Sequence, residues 1–218
     1  MWFAGPARLV PEAGRPAALR TGFVLKPGMR VGLYGGSFNP VHEGHAHVAE
    51  TAMTRLGLDR VIWLVSPQNP LKSRRETAPL PERIAGVRSV IRRHVMTASD
   101  IETRLGSQYT IDTLRLLKAR NPGVHFVWIM GADSLKDFHK WRGWTQMMRE
   151  APIAVVSRPW AALKARSSPA AKRFAFARRP AREAPLLASM KAPAWIYLSG
   201  PFNFASSTAL RERMRGNR

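Results

Sequence analysis

Apolar positions along this chain fall into short continuous runs that alternate with helical stripes. Val31-Gly32-Leu33-Tyr34 is an apolar run closed by Gly35 and Gly36, the pattern of a short buried strand. His45, Val48, Ala49, Ala52, Met53 and Leu56 then recur at i, i+3, i+4, i+7, i+8 and i+11, which is one face of a helix. Val61-Ile62-Trp63-Leu64-Val65 is again continuous and rich in β-formers, as a strand covered on both faces is. Strand, helix and strand between Val31 and Val65 make a βαβ unit, and such units pair their strands in parallel.

The alternation continues downstream. A helix is predicted from Pro81 to His94, with Pro81 in its first turn and Ile84, Val87, Val90 and Ile91 on one face. Met96 to Glu102 is a weak strand. Tyr109-Thr110-Ile111 opens a helix that runs to Arg120 and stops at Asn121-Pro122-Gly123. His125–Met130, Ile153–Ser157 and Trp195–Leu198 are further strands, and Ser206 starts a last helix. Phe138, Trp141 and Trp144 at three-residue spacing read as one helix face, with Phe138 in the core. The prediction is a single α/β domain built on a doubly wound parallel sheet.

Two stretches lack a period. Met1 to Pro27 holds four Pro and four basic residues with one acidic residue, Glu12. It has no apolar core of a secretory signal. Residues 1–28 are expected to be a poorly ordered extension and 29–218 the domain. Arg158 to Lys191 carries nine basic residues against one acidic, Glu183, among many Ala and Pro. At most one short helix is expected there, within a basic, mobile surface segment.

Composition narrows the chemistry. At 218 residues and 45% hydrophobic content the chain suits one packed domain. Without Cys it has no disulfide, thiol nucleophile or Cys-rich metal site, and it fits a reducing cytoplasm. No apolar run approaches the roughly 20 residues of a membrane helix. The net charge of +21 invites polyanionic partners, either nucleic acid or small phosphorylated substrates. Much of it sits in local arginine-rich tracts.

The chemistry concentrates after the first strand. Gly35 and Gly36 let the backbone turn and a ligand approach closely, and Asn39-Pro40 marks a turn. His42 and His45 follow at the mouth of a helix, where unpaired N–H groups and the dipole favour an anion. Their spacing is too close for the i, i+4 pair of a zinc helix. Such a loop suits phosphate, the alternative being a capped turn with incidental histidines. Ser66-Pro67-Gln68-Asn69-Pro70-Leu71-Lys72 leaves the carboxyl end of the next strand, the edge where open α/β sheets bind ligands. Lys72 reads there either as part of the same crevice or as a solvated loop lysine.

Gly35-Gly36-Ser37-Phe38-Asn39-Pro40-Val41-His42-Glu43-Gly44-His45 resembles the GGxFxPxHxGH signature of the HxGH nucleotidyltransferases. Among these it looks most like the bacterial nicotinate-nucleotide adenylyltransferases, which have a Rossmann-like fold. The resemblance runs from about Gly32 to Arg215. It departs at Asn39, where most members have Asp, and at Asn69-Pro70-Leu71, where many have Pro-Pro-His. Tyr109-Thr110-Ile111-Asp112-Thr113-Leu114 resembles the family's YTxDTL motif, whose Thr, here Thr110, helps hold the pyridine nucleotide. Gly131-Ala132-Asp133-Ser134-Leu135 with Phe138 and Trp141 resembles GxDSLxxFxxW, whose Trp stacks on the nicotinate ring. Asp133 is then expected near the ribose or phosphates. Ser206-Ser207-Thr208-Ala209-Leu210-Arg211 resembles SSTxIR, a second helix start that holds ATP phosphates, with Arg211 on the departing pyrophosphate.

The resemblance implies transfer of the adenylyl group of ATP to nicotinate mononucleotide, with Mg2+ carried on the phosphates. His42, His45, Lys72 and Arg211 are the expected catalytic residues. Gly35, Gly36, Ser37, Phe38, Thr110, Gly131, Asp133, Trp141, Ser206, Ser207 and Thr208 are expected to bind substrate. Two alternatives stand beside it. One is another HxGH transferase with a different acceptor phosphate. The other is a basic nucleic-acid-binding protein on the same scaffold, which explains the charge and leaves the two phosphate-type helix starts unexplained.

Overall fold

The structure is a computed structural model that describes residues 23–67, 77–107, 109–158 and 161–200. Seven strands form one sheet: β1 (Arg30–Gly36), β2 (Arg60–Val65), β3 (Met96–Ser99), β4 (His125–Gly131), β5 (Ile153–Val156), β6 (Arg178–Arg179) and β7 (Trp195–Leu198). Their order is β3-β2-β1-β4-β5-β7-β6, and every pairing is parallel. The chain winds outward from β1 to β3, returns to lay β4 on the other side of β1, and winds outward again. Strand order thus reverses between β1 and β4, which opens a crevice beyond their carboxyl ends.

Alternate side chains of the central strands feed two cores. Leu33, Ile62, Leu64, Trp128 and Met130 face one layer, which holds Leu114 and Leu117 of α4 (Thr110–Arg120). Tyr34, Trp63, Val127 and Ile129 face the other, which holds Val48, Ala49, Ala52 and Leu56 of α1 (Glu43–Leu56). That second layer also takes Val87 of α2 (Leu80–Val90). Trp63 is fully buried, so Trp63→Ala would remove about 3–5 kcal/mol of stability. Ahead of β1, Phe23 and Leu25 lie against the first core. The expected N-terminal extension falls, up to residue 22, outside the described residues. Among the described residues no helix is long and apolar enough to cross a membrane.

Several boundaries differ from expectation. α2 stops at Val90, four residues early, because Ile91 turns extended (φ −74°, ψ 119°) to carry the chain back to β3. The weak strand ends at Ser99, and Glu102 lies in the short helix α3 (Ile101–Arg104). The aromatic triplet is not one helix face. α5 (Ala132–Asp137) tightens into a 3-10 turn at Phe138–Lys140, Trp141 is extended, and α6 (Trp144–Glu150) starts after Gly143 at φ 68°. Phe138 is buried as expected.

The largest correction concerns the basic tract. From Ala161 onward it is packed, not a mobile surface segment. It folds as α7 (Ala162–Arg166), α8 (Pro169–Arg173), two 3-10 stretches and the edge strand β6. Ala165, Ala170, Ala171, Phe174 and Ala177 enter the first core, and Ala184, Leu187 and Ala188 the second. Ser168 caps α8, accepting from the Ala171 N–H at 3.3 Å, and Trp195 Nε1 donates to Phe174 O at 2.8 Å. Helices of five residues are too short to display a period, and alanine contributes little apolar signal however deeply it is buried.

Candidate active site

The loop that leaves β1 is shaped by aromatic rings more than by its glycines. Gly35 and Gly36 are the last two residues of the strand. A Cβ on Gly35 would collide with the Trp128 indole, so that glycine is needed for sheet packing. The turn itself falls at Phe38, the one described non-glycine residue at positive φ (47°). Such a backbone costs on the order of 1 kcal/mol or more and persists only where its surroundings fix it. Here the buried Phe38 ring is held by Tyr34, Trp63 and His45, with centroids at 5.3, 5.1 and 5.2 Å. Asn39 Oδ1 accepts the Ala78 N–H at 3.2 Å, so the position where most members of the resembled family carry Asp works here through an uncharged acceptor.

The two histidines cap α1 together. His42 is the N-cap residue, and its Nδ1 accepts the Gly44 N–H at 3.1 Å. In return the His42 N–H donates to His45 Nδ1 at 3.3 Å. The rings lie 3.9 Å apart by centroid. Since each Nδ1 accepts from the backbone, a neutral ring must carry its proton on Nε2. Burial, reinforced by the Arg158 charge and opposed by Asp133, pushes His42 down to about pKa 4. His42 is therefore neutral at pH 7 with Nε2–H as its donor. Cap and tautomer are set by the same hydrogen bonds.

Across the crevice, the end of β4 meets the end of β5. Gly131 has no Cβ because one would strike Asp133 Oδ1 and lie 3.0 Å from Arg158 Nε. Through that gap Arg158 reaches Asp133, Nε to Oδ1 at 3.4 Å. The arginine side chain is only 5% exposed, the aspartate 48%. The Tyr34 hydroxyl has its pKa held above its usual range, chiefly by burial, with the nearby Arg158 charge opposing. His42, Tyr34, Asp133 and Arg158 thus form one electrostatic group at the switch point of the sheet.

The starts of α4 and α6 also meet. The Arg142 guanidinium lies 4.3 Å over the Tyr109 ring, and Gly143 sits against Ile111. The start of α4, with Thr110, is thereby joined to the turn that holds Trp141. Trp141 is half-buried, edge-on to Trp128 at 6.3 Å and to Phe138 at 5.4 Å. Ser37 is buried, and its hydroxyl has no partner among the described residues. Lys72, Ser206, Ser207, Thr208 and Arg211 lie outside the described residues.

A family profile described as cytidylyltransferase-like matches residues 33–213. A protein of Caulobacter sp. (strain K31) named "Probable nicotinate-nucleotide adenylyltransferase" is 75% identical over 185 residues, 85% of this chain and 98% of its own length. A protein of the same name from Mesorhizobium japonicum is 52% identical over 189 residues, 87% of this chain and 97% of its own. The chain belongs to the nicotinate-nucleotide adenylyltransferase family. Its fold is similar to that of a Plasmodium falciparum nicotinic acid mononucleotide adenylyltransferase complexed with NaAD, with TM-score 0.62 and 17% identity over 84% of this chain and 83% of that one.

In this adenylyltransferase framework three buried charged residues stand out that pattern reading passed over. Arg158 looked like the first residue of a surface tract. Its place two residues beyond Val156, the strand residue paired with Gly131, is the signal that marks it. Glu102 is 5% exposed, and burial pushes its carboxyl up to about pKa 7 against hydrogen bonds with Ser66 and Thr113. Arg83 is 4% exposed on α2. Among the described residues no three His, Cys, Asp or Glu side chains are grouped to hold a metal. Asp133 faces Arg158 and His42 is a neutral donor, a set that suits anions and a metal already bound to phosphate.

Proposed function

We infer that the chain transfers the adenylyl group of ATP to nicotinate mononucleotide, giving nicotinate adenine dinucleotide and pyrophosphate in NAD biosynthesis. The 5′-phosphate oxygen of the mononucleotide attacks the α-phosphorus of ATP. The bond from that phosphorus to the bridging oxygen of the β-phosphate breaks, and pyrophosphate leaves with the electron pair. A phosphate is already a nucleophile, so no general base is needed, and catalysis rests on positioning and on stabilising charge.

One observation carries this reading: the paired histidine cap, which commits both Nδ1 atoms to the backbone at the switch point. A ring held this way turns its Nε2–H toward the oxygens of the α-phosphate, where charge builds in the transition state. Arg158 adds a fixed positive charge behind His42. Lys72 and Arg211 offset charge on the polyphosphate, and Ser206, Ser207 and Thr208 hold it, by their match to the family's motifs. Thr110 and Trp141 hold the pyridine ring, stacking being favourable for a flat cationic ring. Asp133 lies toward the ribose. Mg2+ held by the ATP phosphates would neutralise phosphate charge there. A cytoplasmic site of action fits a chain without Cys, which a reducing compartment leaves at no disadvantage.

The test is a pyrophosphate-release assay with ATP and a panel of acceptors: nicotinate mononucleotide, nicotinamide mononucleotide, phosphopantetheine and glycerol phosphate. Nicotinate mononucleotide should give the highest kcat/KM. A higher value with any other acceptor would displace this reading.

A further inference from the structure

Arg83 is a buried cation, and among the described residues the four acceptors of its hydrogen bonds are all backbone carbonyls. Nε donates to Ala78 O at 2.9 Å, Nη1 to Ser37 O at 2.9 Å and to Ser66 O at 2.7 Å, and Nη2 to Pro67 O at 2.9 Å. These oxygens come from three separate stretches: the loop after β1, the exit of β2, and the approach to α2. Two further links run between the same stretches. The Ser66 N–H donates to Gly36 O at 3.0 Å, and Asn39 Oδ1 receives the Ala78 N–H. Pro67 and Ala78 flank residues 68–76, which include Lys72.

Desolvating a guanidinium is costly, and satisfied hydrogen bonds offset the cost without making the arrangement better than an apolar filler. What the planar fork offers is direction, since five donors in a rigid geometry can fix several acceptors at once. A lysine has three donors around one atom and cannot span this set.

Resting on the adenylyl-transfer reading, we propose that Arg83 is a positioning residue for the reaction: it fixes the loop after β1 against the exit of β2, so that His42 and His45, a few residues further on, hold their donors in line with the reacting phosphate. Positioning of this kind acts on the transition state more than on ground-state binding. Arg83→Lys should therefore lower kcat on the order of 10–10²-fold, with KM for ATP and for nicotinate mononucleotide within about threefold.

The experiment measures kcat and both KM values for the wild-type chain, Arg83→Lys and Arg83→Gln, beside their melting curves. Nitrogen NMR of 15N-histidine-labelled protein follows the His42 and His45 ring signals in the same samples. A kcat loss of that size in a variant folded at 25 °C, with shifted or broadened histidine signals, is the expected result. A kcat within twofold of wild type, or unmoved histidine signals, would overturn the proposal. So would unfolding of both variants at 25 °C, which would make Arg83 a stability residue only. If the wild-type chain itself transfers nothing to nicotinate mononucleotide, the activity reading fails, and the histidine signals still decide whether Arg83 sets the loop.

Discussion

The loop leaving β1 and the arginine packed on it bury polar side chains, whereas the tract from Ala161 to Lys191 buries most of its alanines and leaves its basic residues in water. At the first, Ser37, His42 and Arg83 are each under 10% exposed, and His42 and Arg83 are tied to main-chain groups. In the second, Lys172, Arg173, Arg178 and Arg179 are all exposed. Their few contacts are peripheral, with Arg173 5.7 Å over Trp144, Arg178 5.4 Å over Trp195, and Arg179 paired with Glu183 at 2.9 Å. A buried polar group without a partner is expensive, so those kept in the core are mostly fixed by hydrogen bonds, as His42 and Arg83 are and the Ser37 hydroxyl, among the described residues, is not. Fixed donors are what transition-state stabilisation requires. Charge density along the sequence is the same kind of signal in both places; burial separates machinery from surface.

That contrast breaks most directly at His45. His45→Gln keeps an acceptor at the third helical position, which can still reach back to the His42 N–H as in an ordinary capping box. The imidazole Nε2–H is lost. kcat should fall by a factor on the order of 10² or more, while the melting temperature stays close to wild type. A Gln variant with near-normal turnover would mean that the histidine pair is only a cap.

Glu102 tests whether a buried charge-bearing group away from the histidine pair is felt by the fold. Its folded carboxyl holds a proton up to about pKa 7, against a reference value of 4.5. The stability linked to that proton is complete below about pH 4.5 and is lost as pH rises through 7. The loss above pH 7 is on the order of 3 kcal/mol. Glu102→Gln cannot ionise, so its advantage over wild type should be small at pH 5 and largest at pH 8. Urea midpoints at the two pH values measure this, and an equal difference at both would show that Glu102 ionises freely in the fold.

How much of this the sequence discloses depends on whether the physics is local. β1, β2, β4, β5 and β7 were legible because parallel strands covered on both faces read as apolar runs. α1 was legible because one long helix face repeats, and the histidines because their spacing places them in its first turn. Arg83, Glu102 and Arg158 were not, since what keeps each buried comes from loops far away in sequence, such as Ser37 and Pro67 around Arg83. Locally they look like solvated charges. β6 has two residues and its arginines face water, so no alternation was available to find it.

Trp141 lies between the two extremes, half in the core and half out. If it stacks on the pyridine ring, Trp141→Ala should raise KM for nicotinate mononucleotide roughly tenfold, the equivalent of about 1.4 kcal/mol. KM for ATP should stay within twofold. Equal changes for both substrates, or a fall in melting temperature without a change in either KM, would assign the ring to the core.

The smallest effect on turnover is expected at the basic tract. Replacing Lys172, Arg173, Arg178 and Arg179 with Ser removes four positive charges, two ring contacts and one exposed ion pair. Exposed pairs and cation–π contacts contribute at most about 1 kcal/mol each, so the variant should fold and melt only a few degrees lower. None of the four touches His42, Asp133 or Trp141, and kcat/KM should remain within about twofold. Electrostatic attachment to nucleic acid behaves differently, because each phosphate contact releases counterions and the affinity falls steeply with salt. Wild-type binding to duplex DNA or tRNA should be measurable at low salt and vanish near physiological ionic strength, with the variant weaker throughout and its salt slope shallower. A filter-binding titration over a salt series, run beside pyrophosphate release on the same two proteins, separates the two roles. Tight, salt-resistant binding to one nucleic acid, or turnover that collapses in the four-fold variant, would mean that exposed charge on this chain does as much as buried charge.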